Sequence, residues 1–112
     1  MLSMPEMMEA LLKEYKTAIT AVLEQHEILV VLYGSYARGD FHSDSDIDVM
    51  ILADIALEEV GWYRDKIYDI TYDFETKYGV EINPIIQSRK IYEQWKKIYP
   101  FFSNIDKEGF IV

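Results

Sequence analysis

Gly34-Ser35-Tyr36-Ala37-Arg38-Gly39-Asp40-Phe41-His42-Ser43-Asp44-Ser45-Asp46-Ile47-Asp48 links the end of one apolar run to the start of another. The run before it, Ile28-Leu29-Val30-Val31-Leu32-Tyr33, is continuous, rich in β-branched residues and stopped by a glycine, which reads as a strand buried on both faces. The run after it alternates, and reads as a second strand over about residues 46–52. Strand side chains point to opposite faces in turn. Asp46 and Asp48 therefore share one face, roughly 7 Å apart, while Ile47, Val49 and Ile51 take the other and fit a core.

Each half of this stretch has an ordinary reading. A glycine turn ends many strands, and two aspartates at a strand end can sit in water. Together they have a chemical one. Glycine at 34 permits a positive φ and a close backbone approach, and a short helix from Ser35 to about Gly39 would turn free N–H groups toward an anion, with the Ser35 hydroxyl beside them. Two neighbouring carboxylates repel, and a divalent cation relieves that repulsion; hard oxygen donors suit Mg²⁺, which also binds substrate phosphates. A phosphate grip and a metal holder within fifteen residues point to nucleotide transfer. Arg38, three residues after Ser35, either reaches the same anion or is a surface arginine, and Asp40 caps or pairs with it.

Outward from this centre, Met4, Met7, Met8, Leu11, Tyr15, Ala18, Ile19, Val22 and Leu23 recur at helical spacing, predicting a helix over about 4–25 opened by a capping pair, Ser3 and Glu6. On the other side, Asp54 is placed to cap a long helix carrying Val60, Tyr63, Ile67, Ile70, Phe74 and Tyr78, which ends at Gly79. Residues 80–87 read as a third strand, in which Pro84 predicts a bulge or an edge. Ser88 is a candidate cap for a helix with Ile91, Trp95 and Ile98, ending before Pro100. The aromatic tail, 101–112, is expected to add one more turn or strand. The order predicts a single α/β domain over 1–112, a small mixed sheet of three to four strands with helices packed on it in two or three layers.

The bulk composition narrows the function. The chain has 112 residues, 11 basic against 20 acidic, for a net charge of −9, which disfavours direct nucleic-acid binding because that binding needs Lys and Arg to neutralise phosphates. There are no cysteines, so disulfides, thiolate zinc sites and a cysteine nucleophile are excluded. No stretch approaches the roughly 18 apolar residues of a membrane span, and the expectation is a cytoplasmic protein with no membrane contact. His26 and His42 read as a helix-end residue and a loop residue, without catalytic roles.

Gly34-Ser35-x10-Asp46-Ile47-Asp48 matches the signature of the polymerase-β-like nucleotidyltransferase superfamily, and the string from Gly34 to Leu52 resembles its smallest members, the minimal nucleotidyltransferases known as antitoxins of HEPN/MNT toxin–antitoxin pairs. The resemblance implies a mixed sheet, ATP as substrate and two Mg²⁺ ions. It implies that Asp46 and Asp48 hold both metals, and that Gly34 and Ser35 grip the β- and γ-phosphates. A third carboxylate is implied on a later strand. The candidate is Glu81, which alternates away from Val80 and Ile82 and is read as metal ligand and general base, although aspartate is the commoner family residue. The expected reaction is AMP transfer from ATP to a hydroxyl, a tyrosine of a partner HEPN toxin, since the chain is short for a domain that binds its own acceptor. The alternatives are transfer to a small molecule such as an aminoglycoside, which the acidic surface would suit, and an antitoxin that acts by binding alone.

Overall fold

A computed structural model describes residues 4–42 and 44–112, with side chains from Met8 onward. The expected capping pair, Ser3 with Glu6, and the side chains of Met4 and Met7 lie outside the described residues. The first helix, α1, is Met4–Val22. Strand β1, Ile28–Tyr33, follows it and ends at Gly34. After the one-turn helix α2, Ser35–Arg38, comes β2, Ile47–Ala53, one residue later than the alternation predicted. The long helix α3, Val60–Tyr78, then leads to β3, Ile82–Ser88. Helices α4, Arg89–Trp95, and α5, Pro100–Glu108, precede a two-residue strand, β4, Phe110–Ile111.

The four strands form one mixed sheet in the order β3-β2-β1-β4. β1 is antiparallel to β2 and β4, and β2 is parallel to β3, the pair being connected through α3. Both faces are covered, as the apolar character of β1 required. On one face, Val30, Leu32, Ile47, Val49 and Ile51 pack with Tyr15 and Ile19 of α1 and Ile67 and Phe74 of α3. On the other, Val31, Tyr33, Met50 and Leu52 pack against Tyr92 of α4 and Ile105 of α5. The first layer closes around a buried pair: the Tyr15 hydroxyl lies 2.7 Å from Thr71 Oγ1, whose own proton goes to the Ile67 carbonyl. Burial pushes the Tyr15 phenol up to about 12, so it stays protonated.

Two local expectations change, and a third resolves to one of its alternatives. Asp54 does not cap α3: its carboxylate lies 2.9 Å from His26 Nδ1, while Glu59 accepts from the Ala56 N–H and a 3-10 turn, Leu57–Glu59, leads into the helix. Of the two outcomes Pro84 allowed, the edge is the one found: β3 is an edge strand, and its register with β2 runs unbroken from Ile82 to Ser88 with no bulge. The helix capped by Ser88 stops at Trp95, and Pro100 opens α5 at a position where its missing N–H costs nothing. The tail therefore holds both a helix and a strand. Gly79, at φ +65°, ends α3 as predicted.

Candidate active site

The site forms where β1 ends and β2 and β3 begin. Antiparallel pairing sets Tyr33 opposite Asp48, and parallel pairing sets Asn83 opposite Asp48 on the other side. The chain leaves β1 at Gly34 with φ +76° and ψ −154°, a conformation that L side chains rarely adopt. A Cβ built on Gly34 would overlap Oδ2 of Asp48. The glycine thus lets a turn of backbone lie directly against a carboxylate. Immediately beyond it, α2 turns on hydrogen bonds from the Arg38 N–H to the Gly34 carbonyl and from Gly39 to Ser35, leaving the first-turn N–H groups without helical partners.

Gly34, Ser35, Arg38 and Asp48 line one cleft of about 480 Å³, whose far wall is α5. Asp46, in the loop just before β2, and Glu81, just before β3, do not line it; both are exposed beside the strand ends. They meet each other there. The backbones join through Ile47 N–H to the Glu81 carbonyl at 2.8 Å, and the Asp46 carboxylate beside it raises the Glu81 pKa, chiefly through direct hydrogen-bond contact. Asp48 is raised first by desolvation; the Asn83 amide, whose Nδ2 donates to Asp48 Oδ1 at 3.2 Å, opposes this, and Asp46 adds to it. Arg38 is held at the mouth of the cleft by Asp40, 3.2 Å from its Nε, and by Glu108, 3.7 Å away, and these partners raise its already high pKa.

The donor set is the kind Mg²⁺ takes: Asp46, Asp48 and Glu81 would supply hard oxygens where β2 and β3 begin, and the pKa is raised for two of the three, Asp48 chiefly by desolvation and Glu81 chiefly by Asp46. Among the described residues no three acidic or imidazole groups already enclose an ion, since Asp46 turns to Glu81 while Asp48 turns to Asn83 and Gly34. Asp46 and Asp48 are the pair that would hold a metal there.

Residues the motif did not point to complete the site: Asn83, which orients Asp48, and the α5 side chains Phe101, Asn104, Ile105 and Glu108. Asn83 was reachable by counting two from Glu81 along a strand. The α5 set carries the i, i+3, i+4, i+7 signature of one helix face.

Crowded acids give a direct test. The folded pKa of Glu81 lies above its ordinary value, so the ionised form opposes folding, and that penalty appears as pH rises through the folded pKa and vanishes at lower pH. Glu81→Gln is expected to raise the Tm of the metal-free protein at neutral pH, with the gain shrinking in acid, while transfer slows. A thermal melt across pH that shows a lower Tm for the variant would contradict this electrostatic picture.

A glycine turn set against a carboxylate that opens the next strand fits a nucleotide-transferring class of protein. The nucleotidyltransferase domain family matches residues 15–111, and the chain belongs to that family of enzymes. Two similar proteins of Methanocaldococcus jannaschii, both provisionally named protein adenylyltransferases, are 34% identical over 90% of this chain and 93% of the relative, and 39% identical over 72% and 80%. A crystal structure of a toxin–antitoxin with AMP-PNP overlaps 86% of this chain and 70% of that one at 18% identity and a TM-score of 0.48.

Proposed function

We propose that this nucleotidyltransferase moves AMP from ATP onto a hydroxyl of another protein, a tyrosine of a HEPN-type toxin, and so acts as an antitoxin. The observation that carries the transfer chemistry is the contact of Gly34 with the Asp48 carboxylate beside Ser35 and Arg38. The provisional names of the two relatives, one matched over nearly its whole length, support a protein as acceptor. The HEPN partner rests on the resemblance of the Gly34–Leu52 string.

The residues take distinct roles. Ser35 and the first-turn N–H groups of α2 bind the β- and γ-phosphates, and Arg38 neutralises charge at the same end. Asp46 and Asp48 would hold Mg²⁺, which when bound would neutralise phosphate charge and stabilise the attacking and leaving oxygens. Asn83 fixes the Asp48 carboxylate, and Gly34 leaves it room. The acceptor oxygen bonds to the α-phosphorus as the bond to the bridging oxygen breaks and pyrophosphate leaves. The hydroxyl proton passes to Glu81, whose pKa is raised by the Asp46 carboxylate beside it, the direction that favours accepting a proton. No covalent intermediate with the enzyme is needed.

Intact-mass and peptide spectrometry of a HEPN toxin incubated with this protein, ATP and Mg²⁺ tests the reading. The expected result is added AMP on a tyrosine peptide; an unmodified toxin beside an active control enzyme would remove it. The placement of Asp46 and Glu81 outside the cleft favours one other reading, neutralisation by association alone. In that case the Asp46→Asn, Asp48→Asn double variant would still neutralise the toxin.

A further inference from the structure

We infer that the cleft face of α5 is the wall that selects adenine, with Phe101 carrying the base and Asn104 reading its edge. This rests on the nucleotide reading above and deepens it. Phe101, Asn104, Ile105 and Glu108 all face the cleft from one side of the helix. Ile105 is buried and anchors α5 to the sheet, together with the partly buried Phe102. Phe101 is not needed for that. Phe101 is 48% exposed, and its ring stands at 88° to Tyr33, the centroids 6.0 Å apart, and at 84° to Phe102, 5.2 Å apart.

The cleft is polarised along the helix. Glu108 stands beside Arg38 at the anionic end of the proposed site, and Phe101 and Tyr33 form an aromatic corner at the other. At 1.5 Å per residue, seven residues separate these ends by roughly 10 Å, about the reach of a nucleoside triphosphate from its outer phosphates to its base. Asp48 lines the same cleft opposite Tyr33, and the α-phosphate would fall beside it. Ligands that are charged at one end and flat and aromatic at the other match this gradient. The exposed amide of Asn104 has a donor and an acceptor side by side, the pair that matches adenine N7 and N6. Guanine presents two acceptors on the same edge and would leave the amide half-satisfied.

The experiment compares binding of ATP, GTP and inorganic tripolyphosphate, each with Mg²⁺, by calorimetry. It uses the wild type, Phe101→Leu and Asn104→Ala, with thermal melts to confirm that each is folded. Loss of a stacked base is expected to weaken ATP by about tenfold in Phe101→Leu, with tripolyphosphate unchanged. Asn104→Ala, at an exposed position, is expected to erase the preference for ATP over GTP. Unchanged ATP binding in both variants, or equal weakening of ATP and tripolyphosphate, would overturn the base wall while leaving the nucleotide site standing. A wild type that binds neither ATP nor tripolyphosphate would overturn the nucleotide reading itself.

Discussion

Asp48→Asn is expected to slow AMP transfer by at least about a hundredfold, because a divalent ion supplies several kcal/mol of charge stabilisation and each 1.4 kcal/mol is a factor of ten in rate. The same change is expected to leave Tm level or raise it. Asp48 is a partly desolvated carboxylate with Asp46 nearby, and both conditions oppose its ionised form. An asparagine keeps the shape and an oxygen for the Asn83 amide to donate to, and it removes the charge. Falling activity with rising stability marks a residue kept for chemistry at the expense of the fold. The measurement pairs a thermal melt without metal with an initial rate of AMP transfer under saturating Mg²⁺. A variant that loses stability and activity together would make Asp48 a structural residue and undo its assignment to the metal.

The parts of this architecture legible in the chain were those set by local periodicity. The run from Ile28 to Tyr33 gave β1 with its bounds, and the alternation of Ile47, Val49 and Ile51 against Asp48 gave β2 and the face each side chain takes. What escaped was set by distant partners. Asp54 has the residue type of a cap and stands before a helix, yet its carboxylate is taken by His26, 28 positions earlier, and His26 in turn sits within 3.2 Å of the Tyr63 hydroxyl. No capping rule sees that contact. The α5 wall was hidden for another reason. Its aromatic residues, Phe101 and Phe102, obscure a spacing that becomes clear only when Ile105 is known to be the buried member of the set. One half of the cleft, Gly34, Ser35, Arg38 and Asp48, is contiguous enough in sequence to be read as a motif; the other half belongs to a helix more than fifty residues away.

Gly34→Ala is expected to cost activity nearly as much as Asp48→Asn, and stability as well. A non-glycine residue held at φ +76° and ψ −154° carries backbone strain of about 1–3 kcal/mol. The added methyl group would also occupy the position of Asp48 Oδ2, so the carboxylate must swing away or the turn must open. Either movement shifts the Asp48 carboxylate relative to the turn that carries Ser35. Gly79 provides the control. It also has a positive φ, +65°, but a Cβ there would meet nothing within 4 Å. Gly79→Ala is therefore expected to destabilise by about 1–2 kcal/mol through strain alone and to leave the transfer rate unchanged. The decisive measurement is the double variant. If Gly34 acts by making room for the Asp48 carboxylate, the losses in rate from Gly34→Ala and Asp48→Asn will not add, because the second change disturbs a group already disabled. Rate losses that multiplied would show that the glycine serves the site by a route independent of Asp48.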